Sequence, residues 1–213
     1  MEEHPLKNLT VFRYLNQNYI DEFFQYGRLR LSVFSEFTKH KDEQRLDKEE
    51  GWGIVVIQGK EIELRSRAGI MPDAYILSTS LRGDAELMKA FGTDGYFKIN
   101  DIPNFVVAVG KSIAGSKQEA QLGICKYVGN KEIRKRMGHL VDEAVEKNKE
   151  GKLNLNKVTE LISMALIPEV FFLKSGRYAH QREFRFIWPV NYRVTEPLFI
   201  ECPEALRFCE KVT

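Results

Sequence analysis

The period of apolar and polar positions changes repeatedly along this chain of 213 residues. Residues 11–14 form a short apolar and aromatic run around Arg13, which predicts a strand. Asn18 is placed to cap a helix over residues 19–26, where Ile20, Phe23 and Phe24 share a face and Gly27 closes the last turn. Residues 28–33 alternate, with Leu29, Leu31 and Val33 on one side, so the opening unit is strand, helix, strand. A dense mixed-charge stretch at 39–50 predicts a solvated loop or exposed helix. Two strands at 53–57 and 61–66 follow, joined by a turn at Gln58-Gly59-Lys60.

Residues 74–81 predict a strong strand, and Asp84 a cap for a short helix ending at Gly92. Strands are also predicted at 96–99 and 105–109. Residues 131–149 place Ile133, Met137, Leu140, Val141, Ala144 and Val145 at helical spacing, and 155–167 repeat that pattern. Strands return at 170–173, 183–188 and 198–201, and a closing helix is expected at 203–212. With no internal repeat, linker or low-complexity tract, the mixture predicts a single α+β domain over 1–213, with a helical insertion around 131–167.

Composition narrows the class. At 43% hydrophobic and 29% charged, the chain is too apolar for disorder and long enough for one good core. Its apolar runs fall far short of the roughly 20 residues of a membrane span, and the N-terminal MEEHPLKNLT has no signal-like apolar region. Cys125, Cys202 and Cys209 are an odd set without CxxC spacing, which argues against a disulfide framework and against a zinc site. A cytoplasmic protein without a metal is the expectation. The net charge of +2 neither demands nor excludes a nucleic-acid partner.

Three segments carry candidate chemistry. Arg13, between Phe12 and Tyr14, could present a bidentate fork to a pyrophosphate; alone, it is more simply a solvent-facing arginine. Ser78-Thr79-Ser80 ends an apolar strand with two hydroxyls on one face and Thr79 on the other, although serines also end strands for turn-forming reasons. Gln181 and Glu183, two positions apart and leading into an apolar run, are predicted to share a strand face roughly 7 Å apart. A polar outer face explains that pair equally well. Phe91, Tyr96 and Phe97 could stack on a ring, although aromatics are chiefly packing units. Lys131, Arg134, Lys135 and Arg136 would form a basic first helical turn, read first as a solvated face. His139 and His180 give neither a metal signal nor a hydrolase triad, and no glycine-rich phosphate loop occurs.

Arg13, then Ser-Thr-Ser, then Gln-x-Glu, in this order, resembles the R-S-E class of ADP-ribosyltransferases. The chain is also similar to the DUF2971 family in FRYLN…FFQYGRLRLSVFSEF, in ILSTS followed by Glu86-Leu87-Met88, and in FFLKSGRYAHQREFRF. It departs from that family in carrying Gln181 where the first acid of ExE stands and in lacking the Asn-Asp-Pro after the first SxF segment. The resemblance implies a split, mostly antiparallel β core with flanking helices, binding NAD as substrate. It implies that Arg13 binds NAD phosphate and ribose, that Ser78, Thr79 and Ser80 support the ribose and orient the glutamate, and that Glu183 is catalytic. Gln181 would help select the acceptor, and Tyr14 and Phe91 would line the NAD site.

A fixed carboxylate facing the ribose would stabilise the positive charge that develops as the nicotinamide bond breaks. The implied function is mono-ADP-ribosylation of a macromolecule by a toxin or phage-defence effector, with an antitoxin as a possible partner. Because an amide both donates to and accepts from a base edge, Gln181 favours RNA or DNA over protein as acceptor. The alternatives are a noncatalytic binding module of the same fold and an NAD glycohydrolase. From Ser80 to Gln181 is 101 positions, which leaves room for the helical insertion.

Overall fold

The structure, a computed structural model, describes residues 6, 8–37, 52–60, 63–69, 73–116, 120–129, 131–145, 154–166 and 169–212. The mixed-charge stretch at 39–50 lies outside them. In chain order the elements begin with β1 (Val11–Leu15), α1 (Gln17–Tyr26), β2 (Arg28–Val33), α2 (Phe34–Phe37), β3 (Trp52–Gln58), β4 (Glu63–Gly69) and β5 (Ala74–Ser80). Next come α3 (Ala85–Ala90), β6 (Gly95–Ile99), α4 (Ile102–Lys111), β7 (Gln121–Ile124), β8 (Lys126–Val128) and β9 (Glu132–Arg136). The remainder is α5 (His139–Val145), α6 (Leu155–Leu166), β10 (Leu173–Ser175), β11 (Glu183–Pro189), β12 (Leu198–Glu201) and β13 (Cys209–Lys211). Short 3-10 turns cover Glu169–Phe172, Gly176–Gln181 and Pro203–Phe208. The fold is mixed α+β with a mostly antiparallel core sheet.

Two compact units divide the chain. The first takes residues 1–48, 72–125 and 178–213, and the second takes 49–71 and 126–177. In the second unit β3 pairs antiparallel with β4 and parallel with β9, and β8 pairs parallel with β10. This unit therefore has two small sheets of its own beside α5 and α6; β3 and β4 answer to the strands predicted at 53–57 and 61–66, whereas the insertion around 131–167, predicted as helical, also contributes strands.

The first unit is built on an eight-stranded antiparallel sheet with β5 at its centre. β11 covers one edge of β5 over its whole length, from Glu183 opposite Ser80 to Pro189 opposite Ala74. The other edge is divided. β2 takes Tyr75 and Ile76, and β1 takes only Ser80. Leu77, Ser78 and Thr79 have no strand partner there among the described residues, so the sheet is split at the middle of β5.

Strand alternation decides what faces the core. Phe184, Phe186 and Trp188 project to one side of β11, together with Leu29 and Leu31 of β2 and Phe97 of β6. They pack against Ile20 and Phe23 of α1 and against Ile102 and Phe105 of α4. Trp188 stacks on Phe186 and donates its indole N–H to the Val106 carbonyl at 3.1 Å. Each of these wholly buried side chains contributes about 1.5–3 kcal/mol. Gly27 closes α1 at φ 72, as expected, but the helix starts earlier and its N-cap is Asn16 rather than Asn18.

Four further expectations are corrected. Residues 105–109 are helical: Asp101 caps α4 by accepting from the Asn104 N–H, Pro103 sits in the first turn, and Ile102, Phe105, Ala108 and Val109 form the buried stripe. Residues 132–136 are a strand, because β3 offers a parallel partner that places Ile133 in the interior. The basic cluster is accordingly no helical turn. Arg134 pairs with Glu132 at 2.6 Å and Glu63 at 3.7 Å, Lys135 pairs with Glu169 at 2.7 Å, and Lys131 is buried. Residues 203–212 split into a 3-10 turn and β13, the latter pairing with β6. Residues 170–173 likewise divide between a 3-10 turn and the start of β10.

Candidate functional site

The sequence-predicted residues gather about β5, with Arg13 at its split edge and Glu183 on β11 along its continuous edge. Arg13 lies opposite Phe97 in the β1–β6 pairing, so its side chain leaves β1 on the core side. Its Nη1 then donates to the Ser78 carbonyl at 2.6 Å, occupying a backbone acceptor that strand pairing leaves open. The arginine is thus only partly exposed and belongs to the split.

Register places Ser78, Ser80, Glu183 and Arg185 on the opposite face of the sheet, with Ser80 across from Glu183 and Ser78 across from Arg185. Thr79 faces the core side and donates its hydroxyl to the Phe184 carbonyl at 2.8 Å. Ser80 Oγ donates to the Gln181 carbonyl at 2.7 Å and accepts from the Arg82 N–H at 2.9 Å. Ser78 Oγ is buried and has no hydrogen-bond partner among the described residues. The expected serine support for the glutamate is therefore rearranged. Ser80 holds the backbone before Glu183, and Arg185 holds the carboxylate itself, its Nε donating to Glu183 Oε1 at 2.6 Å. Both members of that pair are interior: Glu183 is 5% exposed and Arg185 0%.

Gln181 requires a correction. It ends the 3-10 turn Gly176–Gln181, and Arg182 follows at φ 43, in the left-handed region that few non-glycine residues adopt. Continuous alternation from Gln181 to Glu183 does not exist. The turn is fixed by the Leu81 N–H donating to the Arg182 carbonyl at 2.9 Å, besides the Ser80 contact. Gln181 is buried beside Glu183 in sequence, but by a turn rather than by a strand face. His180 belongs to the same turn.

Aromatic residues wall the loop that follows β5. Tyr14 packs against Phe91 and Tyr96, with ring centroids 5.4 and 5.2 Å apart. Its hydroxyl donates to the Arg82 carbonyl at 2.8 Å and accepts from the Asp84 N–H at 2.9 Å. Burial is the main cause that raises the Tyr14 phenol above its ordinary pKa, keeping it a neutral donor and acceptor. Phe91 is partly exposed, whereas Phe97 is wholly interior against Phe23, which removes it as a stacking surface.

Arg82 and Arg185 are the residues that sequence reasoning did not single out. Arg82 reaches Asp84 at 2.8 Å, Glu86 at 3.0 Å and the His180 carbonyl at 3.3 Å, linking the loop after β5 to the turn before β11. Asp84 is held below its ordinary pKa first by the Leu87 N–H, which it caps, and then by Arg82. Arg185 was legible in one respect: it stands two positions after Glu183 in an alternating strand.

Among the described residues, no group of three or more His, Cys, Asp or Glu side chains gathers to hold a metal ion, and no helix is long and apolar enough to cross a membrane. No protein-family model matches the chain, and neither the curated proteins nor the solved structures contain a significant match.

Proposed function

We propose that this chain is an NAD-dependent mono-ADP-ribosyltransferase acting on a macromolecule, with nucleic acid favoured over protein as acceptor. The observation that carries the reading is the cluster about β5: Arg13 binds the Ser78 carbonyl at the split edge, and on the other face of the sheet the unpartnered Ser78 hydroxyl lies next to the Glu183–Arg185 pair of β11. These residues fit NAD chemically. A guanidinium suits a pyrophosphate, and a buried hydroxyl without a partner suits a ribose hydroxyl. When bound, NAD supplies an ADP-ribosyl group with nicotinamide as its leaving group. Glu183 contributes a fixed carboxylate in a largely dry setting, where negative charge stabilises a developing cation far better than it would in water. Arg13 orients, and Ser80 with Arg82 keeps the Gln181–Glu183 turn in place.

A specific feature favours one competing reading, a noncatalytic module of the same architecture. The Glu183 carboxylate is already matched by a buried guanidinium. The two are separated by incubating the chain with NAD carrying a labelled adenine and cell extract, then digesting separately with nuclease and protease. Label released from polymer by nuclease supports the proposal, and label released only by protease moves the acceptor to protein. Label in neither polymer, with no nicotinamide formed, refutes the enzyme.

A further inference from the structure

Resting on the reading above, we propose that Arg185 is a positioning residue that sets the orientation of the Glu183 carboxylate for the transfer step. The side chain is wholly buried within β11, and its Nε donates to Glu183 Oε1 at 2.6 Å across the i, i+2 spacing of one strand face. Its neighbours in the sheet are Ser78 on β5 and Gly123 on β7. Gly123 contributes no side chain on that side, which leaves room for a guanidinium. One step further along the same face, Ile187 lies opposite Ile76, and both are buried. An ion pair in such surroundings carries a desolvation penalty that an apolar pair of similar volume avoids, so it is a poor device for stability alone. What it does supply is direction. A glutamate side chain has three rotatable bonds, and a short charge-assisted hydrogen bond from a planar donor fixes the carboxylate plane.

The test is the rate of nicotinamide release from NAD, with the nucleic acid and protein of a cell extract supplied as acceptor, by Arg185→Met, Arg185→Lys, Glu183→Gln and the double variant Arg185→Met/Glu183→Gln, each with its thermal midpoint. Arg185→Met should lower kcat by at least about a hundredfold while KM for NAD stays within about threefold, and Arg185→Lys should regain about tenfold of that loss. The double variant should be no slower than Glu183→Gln alone, because a residue acting through Glu183 has nothing left to position. A merely structural arginine would instead lower the midpoint and add its effect to that of Glu183→Gln. Should the methionine variant fail to fold, Arg185→Lys with wild-type kcat overturns the proposal. A wild-type chain that releases no nicotinamide overturns the functional reading together with this one, whereas a wild type sensitive to Glu183→Gln but indifferent to Arg185→Lys overturns this one alone.

Discussion

Replacing Tyr14 by Phe removes one oxygen and leaves the ring contacts with Phe91 and Tyr96 in place. That oxygen serves two backbone groups, the Arg82 carbonyl at 2.8 Å and the Asp84 N–H at 2.9 Å, in a residue only 7% exposed. Each group left without a partner costs about 1–3 kcal/mol if it stays dry, and less where water reaches it. The loop after β5 is only partly buried, so we expect a total loss of about 2 kcal/mol. For a chain of this length the unfolding midpoint should fall by about 4–8 °C. Urea unfolding followed by tryptophan fluorescence and circular dichroism measures the loss, and hydrogen exchange at the Asp84 amide locates it. A change under about 0.5 kcal/mol, with Asp84 exchange unaltered, would refute the claim that this hydroxyl pins the loop.

Alkaline pH should destabilise the fold. Burial pushes the Tyr75 phenol and the Cys202 thiol each up to about 12, so the unfolded chain loses these protons first. Their contribution is fully present below about pH 9 and is lost as pH rises towards 12; a flat urea midpoint between pH 8 and 11 would contradict this. Gly27→Ala should cost at least about 2 kcal/mol in urea unfolding. The position sits at φ 72, and an added Cβ would stand 2.5 Å from the Pro203 nitrogen and 2.7 Å from the Cys202 carbonyl carbon. An alanine variant of wild-type stability would show that the 3-10 turn at Pro203 yields freely.

Much of the first unit was legible because its signals are local. The alternation in residues 28–33 marks a strand with one buried face, residues 183–188 form a strand buried on both faces, and Gly27 and Asp84 act as the caps their residue types predict. Where the chain misled, non-local pairing or a special backbone conformation decided the outcome. Ile133 sits at helical spacing with Met137 but becomes a strand residue because β3, far away in sequence, pairs with it. The five apolar residues from Phe105 to Val109 look like a strand, yet the Asp101 cap and Pro103 just before them signal a helix start that periodicity alone overlooked. The positive φ of Arg182 has no mark in the sequence, and together with the 3-10 turn before it takes Gln181 off the strand. For the site, the order Arg13, Ser78–Ser80, Glu183 pointed to strands that do adjoin. The ion pair of Arg185 with Glu183 depends on burial, which residue type argued against.

The most direct test of the central claim is nicotinamide release from NAD by the purified chain and by its Glu183→Gln variant, each supplied with the RNA, DNA and protein of a cell extract as acceptor and measured beside their urea midpoints. The account predicts release by the wild type and a loss of at least about a hundredfold in the variant at unchanged stability. A wild type that leaves NAD intact, or a variant that cleaves it equally well, would contradict the account.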